Sequence, residues 1–485
     1  MKVGITLGKK KDEKVVVSFE DSMSSIDVTG SMIYVKTPNH NILLDVGMHQ
    51  SNDRYSDYQI NNRKFKGFKP KEIDYIFVSH QNADHVCLGS LVYKRGCKGT
   101  TIISKGSYGI MKKMVEDSTY ITVRDASNMS DKENKNVLPI YDEEDTALYL
   151  SHTIETTVGE IHKIDDELSY KFIGAGHILG ACQIILYITI NGVTKRIGYT
   201  GDIGNPHIGN KFVGTFEPIT EQLSLCIGEA TYGDRPDLKV GKKVRKTDLN
   251  KLKSIIDTQV NDLHGRVIIP SFAQSRQQSI AYMIYSLYKD NEEFQPKVYI
   301  DSPLGISIFE EYLEVLEGSE KEEFKKLMDW KNLIFVRESE DSKALVQSNE
   351  PCVLLASSGM ISAGRVRHHI KKQITNPNST ILFVGYASDG SIASLLKDPK
   401  VKSISIDNKD YEVKCSSYSL KSMSCHQDFA TLCETYRELN TERLVLHHGS
   451  ELSKNTLAER LRQLYSKDCK TTKVSISNNS MKITL

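Results

Sequence analysis

Seven consecutive residues, Ser79-His80-Gln81-Asn82-Ala83-Asp84-His85, follow the apolar run DYIFV. Imidazole and carboxylate groups suit zinc, and a strand end is a stiff place from which to present them. Alone, the cluster is also what a loop with two hydrogen-bonded histidines offers. It gains weight because groups of the same chemistry close other strand-like runs. His177 ends YKFIGAGH, where Gly174, Gly176 and Gly180 allow close backbone approach; Asp202 ends RIGYTGD and His448 lies in RLVLHHG. A hydrolase working with two metal ions needs several nitrogen ligands, a terminal carboxylate and a carboxylate able to bridge. His80, Asp84, His85, His177, Asp202 and His448 supply that set.

Holding these groups together takes strands, and short β-type runs carry the first half. They are VVVSF (15–19), SMIYVKT (31–37), NILLDVG (41–47), DYIFVSH (74–80), YKFIGAGH (170–177), CQIILYITI (182–190) and RIGYTGD (196–202). Between them, SNMSDKENKNVLPIYDEEDTALY (127–149) reads as a solvated loop followed by the start of a surface helix. The middle alternates strands with longer helices. RVIIP (266–270) leads into a helix with Ile280, Ile284 and Leu287 on one face; KVYID (297–301), a charged helical segment from 307 to 328, LIFV (333–336) and VLLASSG (353–359) follow. That alternation predicts a parallel or mixed α/β sheet. The strand RLVLHHG (443–449) and a helix with Leu457, Leu461 and Leu464 on one face come last.

The 485 residues suffice for two or three domains. Lys+Arg 63 against Asp+Glu 62 gives a net charge of +1, which excludes coating a nucleic acid or membrane by bulk charge. No window approaches ~18 consecutive apolar residues, so no membrane helix is expected. The opening MKVGITLGKKKDEKVVVSF lacks the apolar core of a secretory signal, and a cytoplasmic address is expected. Nine cysteines form no C-x-x-C pair, which predicts reduced, mostly buried thiols rather than a disulfide framework or zinc ribbon.

VTGSMIYV, NILLDVG, the SHxxxDH of residues 79–85, GAGHILGA and TGDIG stand in the order found in metallo-β-lactamase-fold hydrolases, which the chain resembles. CIGEATYGDR (226–235), SCHQD (424–428) and LHHGSE (446–451) resemble motifs A, B and C of the β-CASP subgroup, with the expected 22 residues from His426 to His448. IPSFAQSRQQ, YIDSPLG, ASSGMISAGRVRHHI and GYASDGSIA resemble the inserted β-CASP domain. The style is that of bacterial and archaeal RNA-processing nucleases related to the pre-mRNA 3′-end-processing endonuclease. The resemblance implies an α/β fold: an αββα metallo-β-lactamase domain from residues 1–234 and 424–485, with an α/β β-CASP domain inserted at 235–423. It implies an active site in the cleft between them.

One position departs from the family pattern HxHxDH: Asn82 stands where the second histidine belongs. By correspondence His80, the residue at 82 and His177 hold one ion, Asp84, His85 and His448 the other, and Asp202 lies between. An amide oxygen is a poorer zinc ligand than imidazole. The expected cofactors are therefore two Zn²⁺, with the first site weakened by Asn82 or adapted to Mn²⁺. Three readings of Asn82 stay open: an active enzyme with one tight and one labile ion, which the retained remainder of the set favours; a relative that binds RNA without cutting; and a substitution that traps an inactive form.

The implied reaction is hydrolysis of RNA phosphodiester bonds by an activated water, with Asp84 orienting or deprotonating it. His426, paired with Glu229, would protonate the departing 3′ oxygen. Side chains alternate along a strand, so His447 and His448 should face opposite ways, and motif C picks His448. A histidine there resembles RNA-acting members; DNA processing is the alternative, and a small-ester or lactam hydrolase on the same core is another. Expected substrate contacts are Arg276 near a helix N-terminus, Ser357 and Ser358 in a tight turn, and Met360 as a base-stacking group. Arg365, Arg367, His368 and His369 form a local basic cluster that also fits plain solvated surface. Single-stranded RNA is the implied partner, with no membrane, and a homodimer is left open.

Overall fold

The computed structural model describes residues 14–485 apart from Asn52, Lys239, Tyr386, Ser388 and Asp389. The opening lysine-rich segment and those three residues of GYASDGSIA lie outside the described residues.

Two seven-stranded sheets form the first unit. One runs Lys482–Thr484, Val16–Ser18, Ile33–Lys36, Asn41–Leu44, Tyr75–Phe77, Thr100–Ser104, Thr153–Thr156; the other runs Lys473–Ile476, Arg443–His447, Leu225–Glu229, Val193–Tyr199, Cys182–Ile190, Leu168–Gly174, Ile161–Lys163. Alternate residues of a strand face opposite sides, and the burial follows. Val17, Val35, Leu44 and Phe77 of the first sheet meet Phe172, Ile184, Leu186, Ile197 and Ile227 of the second in one core. On the outer face of the first sheet, Leu43, Ile76 and Ile103 pack against Leu91, Met111, Val115 and Tyr149 of covering helices. On the outer face of the second, Ile185, Cys226 and Leu444 pack against Leu432, Tyr436, Leu457 and Leu461. Each such side chain stabilises the fold by about 1.5–3 kcal/mol. The layers are helix, sheet, sheet, helix.

The strands Leu225–Glu229 and Arg443–His447 are parallel neighbours, with Glu229 opposite His447. The chain between them builds a separate six-stranded sheet, whose pairs are all parallel: Leu333–Phe335, Val298–Ile300, Cys352–Ala356, Arg266–Pro270, Ser379–Phe383, Ser416–Ser419. Parallel strands are covered on both faces. Val267, Ile269, Val353 and Leu355 meet Ile280, Ile284 and Phe309, while Ile268, Leu354 and Ile381 meet Val366, Ile370 and Leu396.

Two expectations about local structure need correction. Residues 127–133 are not loop but the last turns of a 26-residue helix, Tyr108–Glu133, which ends at the left-handed Asn134 (φ 50°). The charged segment 307–328 is two helices, Pro303–Val315 and Gly318–Met328, parted at Leu316 and Glu317. Among the described residues no helix is long and apolar enough to cross a membrane.

Candidate active site

The ligand-type groups sit where strands of both seven-stranded sheets hand over to loops. His80, Asp84 and His85 follow Tyr75–Phe77, His177 follows Leu168–Gly174, Asp202 follows Val193–Tyr199, and His448 follows Arg443–His447. The structure brings all six together. His80 Nε2 and His177 Nε2 lie 3.6 and 3.7 Å from Asp202 Oδ2, and His85 Nε2 and His448 Nδ1 lie 3.5 and 3.2 Å from Asp202 Oδ1. His448 Nε2 is 3.2 Å from His85 Nε2 and 3.6 Å from Asp84 Oδ2. Close backbone passage makes this convergence feasible. A Cβ on Gly47 would fall 1.6 Å from the Asp84 carbonyl oxygen, and at Gly176, whose φ is +66°, one would fall 2.6 Å from the Phe216 nitrogen. His448 takes a left-handed conformation (φ 49°), so it turns into the cluster by leaving the strand rather than by strand alternation.

His80 Nε2, His177 Nδ1 and Asp202 Oδ1 are buried without a hydrogen-bond partner. Desolvated, unpaired acceptors are costly, and a cation shared among them removes that cost. The sets His80–His85–Asp202, Asp84–His85–His448 and His177–Asp202–His426 each offer three donor atoms within 4.8 Å of one another. The donor set thus fits divalent metal ions. Burial, aided by neighbouring imidazoles, pushes the His80 and His177 pKa well below the ordinary value, which keeps both in the neutral, ligating form. Burial opposes charge on His85 too, but Asp202, Asp45 and Asp84 outweigh it and raise it to about 10; the same surplus of carboxylates favours a cation, which would displace the proton on Nε2. Beside the cluster, His426 Nδ1 lies 3.0 Å from Glu229 Oε2. Burial works against a charged His426, yet Glu229 outweighs it and lifts its pKa to about 9.

Residues 26–162 match the metallo-beta-lactamase superfamily, and residues 277–396 match the Beta-Casp domain. The chain belongs to the β-CASP branch of the metallo-β-lactamase superfamily. A ribonuclease of Thermus thermophilus is 28% identical, over 88% of this chain and 91% of its own length. The transcription termination factor FttA of Methanocaldococcus jannaschii is 25% identical, over 91% of this chain and 68% of its own. A protein of unknown function from Enterococcus faecalis superposes with a TM-score of 0.54 at 13% identity, covering 97% of this chain and 100% of that one; this likeness concerns the fold alone. The metallo-β-lactamase fold implies divalent metal binding, in keeping with the His/Asp sites described above.

In this β-CASP chain one further residue belongs to the site, and sequence reasoning passed over it. Asp45, wholly buried at the end of NILLD, places Oδ2 2.6 Å from His85 Nδ1. It also accepts from the Ser79 N–H, the Ser79 hydroxyl and the Tyr199 hydroxyl, each at 2.7 Å. This carboxylate fixes the His85 tautomer and turns Nε2 toward the cluster. The signal was available: Asp45 closes an apolar strand as Asp202 does. His447 stays outside the cluster, bonded to the hydroxyls of Ser22 (3.1 Å) and Ser477 (3.0 Å). Asn82 caps the short helix Ala83–Val86 through its backbone carbonyl, which accepts from the His85 and Val86 N–H groups, and its side chain makes no capping bond.

The expected substrate contacts from the six-stranded unit fall into two groups. Arg276 opens the helix Arg276–Tyr288 and is buried, with Nη2 3.4 Å from Cys425 Sγ beside His426 and Nε without a partner. The Ser357 hydroxyl is bonded to Ser302 Oγ (2.9 Å) and Gln277 Nε2 (3.1 Å), and the Ser358 hydroxyl accepts from the Ser362 and Ala363 N–H groups, so both are engaged internally. Met360 is half-buried beside them. The basic cluster is not a surface patch. His369 Nε2 (2.7 Å) and Arg365 Nη1 (2.8 Å) both bind the buried carboxylate of Asp301, and Arg367 pairs with Asp407. His368 is exposed, and partial desolvation together with Lys371 lowers its pKa.

Proposed function

We propose that this chain is a metal-dependent ribonuclease that hydrolyses RNA phosphodiester bonds between its metallo-β-lactamase core and its β-CASP insertion. The observation that carries the reading is the convergence of His80, Asp84, His85, His177, Asp202 and His448 beside the Glu229–His426 pair. Similarity to a ribonuclease and to a transcription termination factor supports RNA as the substrate. We assign the core to residues 1–234 and 424–485 and the insertion to 235–423. The nine free cysteines, eight of them buried, support a reducing, cytoplasmic setting.

Two zinc ions fit the donor set. His80, His177 and Asp202 would hold one, with Asn82 a weak fourth group that suits Mn²⁺ better; Asp84, His85, His448 and Asp202 would hold the other. The chemistry such ions supply when bound is polarisation of the phosphoryl oxygens and a water acidified toward about 7. Asp84, whose side chain remains 19% exposed, orients that water and takes its proton. Glu229 holds His426 protonated through Nδ1, which leaves Nε2 to protonate the departing 3′ oxygen. Arg276 faces the phosphate, with Ser357, Ser358 and Met360 shaping the wall behind it. Every named group comes from one chain, so a homodimer is not required.

Incubating the purified chain with labelled single-stranded RNA and a DNA strand of the same sequence, with Zn²⁺ or Mn²⁺ and after chelation, tests the reading. Metal-dependent cleavage of RNA is expected. Tight RNA binding without cutting under any metal would mean that Asn82 has silenced the site, and equal cutting of DNA would remove the RNA assignment.

A further inference from the structure

The loop that joins the strand Arg266–Pro270 to the helix Arg276–Tyr288 closes one side of the metal cluster. Gln274 Nε2 donates to Gln81 Oε1 (2.9 Å), next to His80, and Arg276 Nη2 reaches Cys425 Sγ (3.4 Å), next to His426. Ser271, Ala273, Gln274, Ser275 and Arg276 are all buried, whereas Phe272 between them is 45% exposed. A lone exposed apolar residue is ordinary, but Phe272 is the only phenylalanine among the exposed large hydrophobics of the described residues. It lines one small cavity together with Arg276, four residues further along the same loop.

Its ring is seated on one edge and open on the other. A Cβ at Gly359 would lie 3.3 Å from Phe272 Cε2, so the glycine lets the ring settle against the Ser357–Gly359 turn. The cavity beneath, lined by Phe272, Arg276, Gly359 and Phe383, holds about 10 Å³, room for one water and far too little for a nucleobase. A base can meet this ring only on its solvent side. The Arg276 guanidinium beneath has an unpartnered Nε, the donor expected where a phosphate lies beside a stacked base.

We infer that Phe272 is a stacking platform for an unpaired base next to the scissile phosphate, making this a site selective for single-stranded RNA. The inference rests on the ribonuclease reading and adds the contact that admits a single strand. A duplex keeps its bases stacked on one another and offers none to the ring. One aromatic–base stack corresponds to roughly fivefold to 150-fold in affinity.

The test uses the full chain with zinc and phosphorothioate-linked single-stranded RNA carrying 2-aminopurine at successive positions. With the natural chain, 2-aminopurine fluorescence is expected to be quenched at one position, and an abasic nucleotide there should weaken binding at least about fivefold. Phe272→Ala should abolish the quenching, weaken binding by a similar factor and become insensitive to the abasic change; Phe272→Trp should restore both. Hydrolysis of a small aryl phosphodiester should be unchanged in Phe272→Ala, which also establishes that the variant is folded. RNA bound equally well by Phe272→Ala, or losing as much on abasic RNA as the natural chain, overturns the platform and leaves the ribonuclease reading intact. Failure of the natural chain to bind RNA at all overturns both.

Discussion

Replacing Asp45 probes how the metal cluster is held. The carboxylate accepts four hydrogen bonds at 2.6–2.7 Å, three on Oδ2 and one on Oδ1. In Asp45→Asn the amide would turn its oxygen to the three-donor side and its NH₂ toward the Ser79 N–H. That leaves one donor facing a donor, a cost of about 1–3 kcal/mol. Bonds to the charged group, worth about 1.5–3 kcal/mol each, fall to about 1 for a neutral acceptor. The share that falls on His85 is about 1 kcal/mol, or roughly fivefold in affinity for the ion that His85 holds. Asp45→Ala removes the partner altogether and frees the imidazole to rotate, which is expected to cost about 10–100-fold. Zinc competition against a chromophoric chelator, with metal stoichiometry determined in parallel, measures both variants. The loss should fall on one of the two ions. Natural affinity for both ions in Asp45→Ala would refute the orienting role, and equal loss at both would show general loosening instead.

Glu229→Gln removes the charge that raises the His426 pKa to about 9. Because the folded value is raised, the pairing contributes fully below about 6.5 and is lost as pH rises through about 9. The alkaline limb of the pH–rate profile should therefore move down by up to about two pH units. In Asp301→Ala, His369 and Arg365 lose their shared carboxylate, and denaturant unfolding should report a loss of about 3–5 kcal/mol with zinc binding unchanged. Burial would raise the Asp301 pKa, but His369, Arg365 and Ser342 together hold it below the usual range. Its contribution to stability is thus present above about 4 and disappears as pH falls through the depressed value, which acid titration of the fold should detect. Asn82→His should convert a labile ion into one that survives gel filtration, as measured by metal analysis; unchanged occupancy would mean that the amide already suffices.

Strand-end ligands were legible in the sequence because a ligand and its strand are local: His80, His177, Asp202 and His448 each adjoin an apolar run. Partners separated along the chain were not, except where the family motifs named them, as for Glu229 and His426. Asp301 lies 68 residues from His369 and 64 from Arg365, so the pair read as a surface charge cluster when it is an internal clamp. Asp45 was passed over differently: it closes an apolar run as Asp202 does, but its partners Ser79 and Tyr199 are distant, and nothing in NILLDVG announces them. The long helix Tyr108–Glu133 escaped because residues 127–133 hold a single apolar side chain, Met129, which is too little for a 3.6-residue apolar signal. Met360 and the Ser357–Ser358 turn were legible as a feature, but which way their hydroxyls bond is decided by Ser302, Gln277 and the turn's own amides.

The strands Leu225–Glu229 and Arg443–His447 are neighbours in space with the whole six-stranded unit threaded between them in sequence. During synthesis that order becomes a clock. Residues 266–419 emerge while the second sheet still lacks the strand that delivers His448. The first sheet likewise waits for Lys482–Thr484 to pair with Val16–Ser18. The wall that carries Phe272 and Arg276 therefore precedes the last of the six ligand-type groups, His448, along the chain. The cluster closes only when the strand Arg443–His447 pairs with Leu225–Glu229 and brings His448 to the other five groups.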